Sequence, residues 1–545
     1  MIDRSETVSP SASLGAAAGA AEGGTAEHGP AAGGGTAGSR LDRAVWGFMD
    51  LLRRHWVLAL LLTAGLALRV VAQVGYEPAL LFIDSKKYIF GAQFSTTDWG
   101  SYDPIGYTLL VLRPVLMVAN LSAVALLQHL LGLAMAVALY VLMLRRGVAR
   151  WLAALAVAPV LLDAYQLNAE QTIMPDVLFE AFLVAGMVLL LWQRRPGLAF
   201  VILGGLALGA STPVRQVGEA LILPALIYVM AAAKGWRTRL LHSAVLTFCF
   251  ALPVVGYMGY SGVVLHYGYE LSNMGDAYLY GRAAHAADCA TLKIPDDVRP
   301  LCPSPPVAAT LGVDGLVNSP SAPRVAYVPV NVKLGQVINT LPLQRQLAYA
   351  VFRQQPMRVA GDIAKDSVKI FALTRNTEQG DTPIKRWQFQ TSYPYFPPGI
   401  TQYGKNSATN LFAAAGGGGT SRIYRPAAVL LRDYQLHGGY TPGPVFLLTL
   451  LAGIAGIFTI RRRRDPGPGL ACLLVTGCAV AVLLGADLYE FSWRYQLPAL
   501  VTLPIAGALG VTAIARYVRG RRAPGAPVRP EPVGELAVAG SEQVP

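Results

Sequence analysis

Charge is scarce in this chain. Only 14% of its 545 residues are Asp, Glu, Lys or Arg, against roughly 25% in a soluble domain. With a mean hydropathy of +0.43, that deficit excludes an ordinary soluble globule and calls for a large hydrocarbon-embedded fraction. Cysteine is sparse too, at five residues, which excludes a disulfide-dense secreted scaffold. The seven histidines are scattered, so no zinc-ligand spacing appears. There is no P-loop and no GxGxxG after a strand pattern, which argues against nucleotide-driven work inside the chain. No internal repeat is evident, and no cleavable signal peptide.

What the chain does have is long apolar runs separated by loops that sort by sign. Basic clusters stand at Arg53-Arg54, Arg145-Arg146-Arg150, Arg194-Arg195, Lys234-Arg237-Arg239, Arg461 to Arg464 and Arg516-Arg519-Arg521-Arg522. They alternate with loops holding Asp84, Asp98 and Asp103, then Glu170 and Asp176, then Asp487 and Glu490. Short basic loops mark the cytoplasmic side of a multi-pass membrane protein. The net charge of +13 is explained by these topology signals, so nucleic acid is not an expected partner; anionic membrane lipid is.

A helix needs about 20 apolar residues to cross the bilayer. Such runs occur near 55–75, 121–144, 151–168, 175–193, 197–213, 217–233, 240–260, 442–460, 468–486 and 496–516. The expected fold is an all-α polytopic membrane protein with about ten spans, and possible extra ones. The expected organisation is a disordered cytoplasmic N-terminus (1–45), an N-terminal membrane module (46–260), an extracytoplasmic insert (261–440), C-terminal membrane helices (441–520) and a disordered cytoplasmic tail (521–545). Residues 76–120, the first outer loop, are too polar to span and too apolar for an ordinary loop, which suits interfacial helices. In the insert, Leu343, Leu347, Val351, Val359, Ile363 and Ile370 recur at helical spacing, with Val368 slightly off that face. One or two amphipathic helices broken near Pro356 fit this pattern. Cys249, Cys472 and Cys478 lie in apolar runs and read as inert. Cys289 and Cys302 lie in the insert, where a disulfide is one option.

The carboxylates gather on the outer side. Asp84 follows the first span, beside Lys86 and Lys87. At a hydrocarbon boundary its basicity can rise, which suits a general base; an N-cap or a carboxylate neutralised by those lysines is the plainer reading. Asp103 precedes Pro104-Ile105-Gly106-Tyr107, a turn before a helix, and is either a cap or a site residue. Glu170, Asp176 and Glu180 bracket the fourth span; acids there are functional candidates or partners of an Arg from another span. Arg215 and Arg494 are outer-face arginines, against the sign rule. Phosphate recognition is one reason for them; an Arg215–Glu219 pair and simple anchoring are the others. Trp493 and Tyr495 read as interfacial belt residues.

Together these features resemble the GT-C glycosyltransferases, and within them the bacterial branch related to protein O-mannosyltransferases and aminoarabinose transferases. Asp84 and Tyr88 match the acidic residue and nearby Tyr after the first span. Pro104, Gly106 and Tyr107 match the turn after it. Pro175-Asp176 matches the acid at the fourth span, and Arg494-Tyr495-x-x-Pro498 the entrance of a late span. Arg215 falls where such proteins often carry an Arg. Relatives often have two acidic residues in the first loop, whereas here Ser85 and two lysines follow Asp84.

The resemblance implies an inverting transferase, multi-pass in the plasma membrane with its active site on the extracytoplasmic face. It moves a sugar from a polyprenyl-phosphate donor to a glycan, lipid or protein acceptor. Asp84 is the expected base. Lys86, Arg215 and Arg494 are expected at the phosphate. Tyr88, Asp103, Tyr107, Glu170, Asp176, Arg215, Arg494 and Tyr495 are expected around the substrate, with a divalent metal as an option at Asp103, Glu170 and Asp176. A lipid-linked substrate transporter or flippase, and a noncatalytic envelope-assembly protein, are the alternatives; transporters usually show repeated halves.

Overall fold

A computed structural model describes residues 46, 49–50, 52–82, 84–85, 87–89, 103–266, 268–272, 275–326, 340–392, 422–460 and 467–522. The N-terminal stretch 1–45 and most of the tail 521–545, both expected to be disordered, lie outside the described residues. The chain forms two compact units, Met1–Arg54 and His55–Pro545. In the first, the described residues are helical near 52–54, and Arg54 pairs with Asp50 at 2.7 Å. The membrane helices and the insert belong to the second.

Each of the predicted apolar runs coincides with helix. The first is α1, Trp56–Gly75, and the second α2, Leu121–Arg145. The third run does not form one straight helix. It is broken into α3, Arg150–Leu162, and α4, Ala164–Gln171, which meet at 49°. Pro159 weakens the end of α3 by removing a backbone donor. Asp163 then stabilises the break: its carboxylate accepts from the Tyr165 amide at 2.9 Å and the Thr441 amide at 2.7 Å. Among the described residues, five helices are long and apolar enough to cross a membrane, or six if this bent pair counts as one span. The remaining runs form shorter helices: α5, Asp176–Leu191; α6, Leu198–Ser211; α7, Ile222–Ala232; and, later, Gly443–Ile457.

After α8, Trp236–Val263, the insert builds a core of its own. Its helices are α9, Gly275–Ala286; α10, Pro305–Asn318; α11, Leu341–Gln354; and α12, Pro356–Lys369. The break falls at Gln355–Pro356, as the apolar spacing predicts. Leu347, Val351, Val359 and Ile370 are buried, and Val368, off that face, is 61% exposed. Cys289 and Cys302 are joined in a disulfide. The free cysteines Cys249, Cys472 and Cys478 are buried.

Four further helices complete the bundle, the first three being α13, Arg425–Leu436; α14, Gly443–Ile457; and α15, Gly467–Tyr489. The last is α16, Pro498–Arg522. Arg282 of α9, fully buried, docks the insert on α15. Its guanidinium bonds Asp362 and Asp366 of α12 at 2.6 Å each and the Asp487 carbonyl at 2.7 Å. A buried cation is tolerated because two carboxylates and a carbonyl satisfy it.

In the first outer loop, residues 90–102 lie outside the described residues. Past them the chain forms one short helical stretch through Thr108–Leu112 and Arg113–Val118, in keeping with an interfacial helix.

Candidate active site

The first loop is fixed to the bundle by backbone and hydroxyl contacts as well as by its charges. Leu80 bonds the strand-like segment after α4: its amide donates to Gln171 O at 2.9 Å and its carbonyl accepts from Ile173 N at 3.0 Å. Ser85 ties the turn down, accepting from the Phe82 amide and donating to Ile173 O, both at 2.8 Å. Serine next to Asp84 is thus an anchor for the acidic turn. Farther on, the Gly106 amide donates to Pro213 O at 2.8 Å. A Cβ at Gly106 would fall 2.4 Å from that oxygen, so only glycine lets the Pro-x-Gly-Tyr turn seat on the backbone just before Arg215. Tyr107, fully buried, donates to Gln128 of α2 at 2.7 Å and stacks edge-on against Tyr88 at 5.7 Å. It is a peg under the site rather than a wall of it.

These attachments bring loop ends from α1, α5, α6 and α15 to one cleft of about 950 Å³. Asp84, Tyr88, Asp103, Arg215, Arg494 and Tyr495 line it. Six residues chosen from four separate stretches of sequence therefore share a wall. Phe179, Val214, Val217, Val482 and Ala486 form its apolar side.

The charges are interleaved. Lys87 lies between two carboxylates, 3.3 Å from Asp84 and in direct contact with Asp103. Arg494 reaches Asp84 at 3.4 Å and lies 3.7 Å from Asp176. Arg215 pairs with Asp176, not with Glu219 as one reading of the sequence had it. Both guanidinium groups stand 4.6 Å from the Tyr495 ring, an attractive arrangement for a cation over an aromatic face. Burial raises the Asp84 carboxyl, but Lys87 and Arg494 together outweigh it and hold the group below its ordinary value. The raised basicity expected of a boundary carboxylate is therefore reversed, because the cations sit within a few ångströms. Burial opposes charge on Lys87, yet Asp103 and Asp84 win and push it well up. Glu490 also lines the cleft and accepts from Thr382 at 2.6 Å. Burial pushes its carboxyl upward.

Glu170 is not brought to the cleft. It is fully buried beneath it, bound by Arg69 at 2.8 Å and by His129 at 2.9 Å. Arg69 also donates to Val160 O at 3.1 Å and Leu161 O at 2.9 Å, carbonyls that the end of α3 leaves without helical partners. Glu180, inside α5, accepts from Gln166 at 2.8 Å and is likewise absent from the cleft wall. Lys86, expected at the phosphate, lies outside the described residues.

The metal expectation meets the same arithmetic. Asp103 pairs with Lys87, Asp176 with two arginines, and Glu170 with Arg69 and His129. Each carboxylate thus has its own cation, and the three do not converge. Divalent hard cations need several oxygens around one point. Among the described residues, no group of three or more His, Cys, Asp or Glu has that geometry. Among the described residues, these three carboxylates do not fit a divalent metal.

Sequence reasoning missed Lys87 as a site residue, although its spacing of three from Asp84 puts both on one helical turn. It left Glu490 unassigned. It read Trp493 as a membrane-belt residue, but Trp493 is buried and its ring nitrogen donates to Asn376 O at 2.9 Å. It had no signal for Tyr278, which reaches the cleft from the insert.

Compared with known proteins, residues 102–263 match the family model "Dolichyl-phosphate-mannose-protein mannosyltransferase". That segment includes Asp103, Asp176 and Arg215, and excludes Asp84, Lys87 and Arg494. No curated protein matches the sequence. Among solved structures, the archaeal oligosaccharyltransferase AglB from Archaeoglobus fulgidus, in complex with an inhibitory peptide and a dolichol-phosphate, is similar at 13% identity and a TM-score of 0.37. The alignment covers 86% of this chain and 52% of that one, so this chain spans about half the length of the structure it matches. Over residues 102–263, then, the chain is similar to the dolichyl-phosphate-mannose-protein mannosyltransferase family model.

Proposed function

We propose that this protein transfers a sugar from a polyprenyl-phosphate donor to an acceptor hydroxyl outside the cytoplasm, in the plasma membrane. One observation carries the reading. A single cleft has two arginines, Arg215 and Arg494, at its polar end and apolar side chains from α5 and α15 along its side. A lipid phosphate has that same polarity: an anionic head that guanidinium groups bind well, on a hydrocarbon tail.

The residues of the cleft support the following chemistry. The bond between the anomeric carbon and the phosphate oxygen breaks, and its electron pair goes to the lipid phosphate. Arg215 and Arg494 stabilise the charge that grows there. The acceptor oxygen attacks from the opposite face, so configuration inverts. Its proton passes to Asp84. Held at low pKa by Lys87 and Arg494, Asp84 stays ionised through the physiological range and takes the proton once the attacking oxygen has become acidic. No step runs through a metal.

The outward orientation is supported by two facts. Arg146 bonds Leu191 O and Gln193 O, and Arg516 bonds Gly147 O at 3.2 Å. Basic loops therefore gather at the end of α5 remote from Asp176, about 24 Å away for 16 residues. The Cys289–Cys302 disulfide suits an oxidising compartment.

Isolated membranes given radiolabelled polyprenyl-phosphate sugar are expected to pass label to an envelope acceptor only when the protein is present. Label that crosses between leaflets without reaching an acceptor would sink the enzyme reading and favour a flippase.

A further inference from the structure

Among the described residues, three acids line the cleft: Asp84, Asp103 and Glu490. Lys87 meets the first two, and Arg494 also reaches Asp84. Glu490 is different. Among the described residues it pairs with no cation: Arg494 is engaged with Asp84 and Asp176, and Arg282 with Asp362 and Asp366. Its hydrogen bond comes from the Thr382 hydroxyl, which donates to Oε1 at 2.6 Å. The residue is 7% exposed.

A buried carboxylate without a cation is unfavourable, and the neutral acid is the favoured form. Burial pushes the Glu490 carboxyl up to about 8, and Asp314 of α10 acts the same way by repulsion. The Thr382 hydroxyl, Arg494 and Arg282 favour the ionised form, and burial outweighs them. The other cleft groups do not titrate there. Burial pushes the phenols of Tyr88, Tyr278 and Tyr495 upward, and Asp103 and Asp84 push Lys87 upward against burial. The charge balance agrees. Lys87, Arg215 and Arg494 already offset Asp84, Asp103 and Asp176. An ionised Glu490 would turn that balance negative and repel an anion. A neutral Glu490 instead brings an O–H donor to the cleft wall it shares with Arg494, four positions on.

We propose that Glu490 stands in the cleft as a neutral acid and donates its O–H to the phosphate held by Arg215 and Arg494, so that the site takes up an anion and a proton together. The proposal rests on the lipid-phosphate reading above. A sugar hydroxyl does not account for the arrangement, because it donates to a carboxylate as well as it accepts from an acid. An anion does discriminate between the two forms. The coupling is reciprocal: a bound phosphate also holds the proton on Glu490. Thr382 belongs to the insert, so the insert positions the acid through its hydroxyl.

The test uses the full-length protein in nanodiscs and two probes: a polyprenyl methyl phosphate, a diester that keeps a single charge throughout, and uncharged polyprenol. Kd is measured as pH rises through about 8. Below that pH Glu490 is neutral, and Kd for the diester should be constant. Above it the carboxylate forms, and Kd should rise by up to about tenfold per pH unit. Glu490→Gln keeps a donor and cannot ionise, so its Kd should stay flat, near the low-pH value of the wild type. Thr382→Val removes a hydrogen bond that favours the ionised form, so the break should move to higher pH. Polyprenol should show no break in any of the three proteins. A break that persists in Glu490→Gln, a flat Kd for the diester in the wild type, or the same break with polyprenol overturns the proposal. Should Glu490→Gln fail to fold, a break that Thr382→Val leaves in place overturns it as well. A wild type that shows the break yet passes no sugar in the membrane assay keeps the Glu490 site and sinks the enzyme reading. A wild type that binds no lipid phosphate overturns both.

Discussion

Glu170 and Asp176 stand six positions apart in the sequence, and each is an acid buried beside arginine. Glu170 is closed in. One oxygen takes Arg69 and the other His129, and the three side chains are 0–3% exposed. A Cβ at Gly132 would lie 2.0 Å from Glu170 Oε1, so even the helix opposite is carved to fit. Asp176 belongs to an open group. Its partners Arg215 and Arg494 keep 17% and 9% of their side-chain surface, and the nearby Lys87, Asp84 and Asp103 keep 24–29%. Both groups balance carboxylates against cations. What separates them is access: Arg215 and Arg494 line the cleft, whereas Arg69, His129 and Glu170 do not. A closed group holds the fold together; an open one can exchange part of its pairing for a ligand.

Asp84→Asn tests the open side most sharply. Removing a positioned proton acceptor costs typically 10²–10⁴-fold, so transfer should fall by about that factor while the thermal unfolding midpoint stays near wild type. A variant that unfolds instead would place Asp84 with the closed group. Arg69→Met is the mirror experiment. It strands Glu170 and frees two α3 carbonyls, and breaking a buried pair costs about 3–5 kcal/mol. The yield and unfolding temperature should drop, and the fraction that still folds should transfer sugar at the wild-type rate. Turnover lost without a stability change would make the closed group part of the chemistry.

The contrast also explains what could be read from the residues alone. Arg215 and Arg494 were legible because an arginine at the outer end of a span contradicts the sign rule and so demands a reason. The helix break at Pro356 was legible because apolar spacing and proline chemistry agree there. Glu170 carried the same local signature as Asp176, an acid at a helix end. Its fate was decided by Arg69, 101 positions away, and by the bend at Asp163, which turns α4 inward. Trp387 and Trp493 gave no usable signal, because their settings depend on how the insert folds back on the bundle. Lys87 was in plain view, yet spacing alone does not say which of two adjacent lysines faces the acid.

Arg494→Lys sharpens the phosphate side. Lysine keeps the charge but loses the planar fork that reaches Asp84 and Tyr495 together. Losing an oxyanion-type donor altogether costs about 10²–10³-fold, so this conservative change should cost less, on the order of tenfold, and should raise the donor KM as well. An unaltered KM for lipid-phosphate sugar would mean the phosphate is held elsewhere.

The smallest effect is expected from Lys87→Met, and its sign is what matters. Asp84 must be ionised to accept a proton, so activity falls as pH drops through its pKa. Burial alone would raise that pKa; Lys87 and Arg494 bring it below the ordinary carboxylate value, with Lys87 the stronger of the two. The acid limb of kcat/KM should therefore lie below the usual carboxylate range in the wild type. With Lys87 gone, burial and the neighbouring Asp103 act against Arg494 alone, and the limb should move upward, toward neutral pH. Turnover at alkaline pH should change little, since Asp84 is ionised there in both proteins. A limb that stays where it was would show that the titrating base is some group Lys87 does not touch, and would return Asp84 to the plainer role of a partner for Arg494.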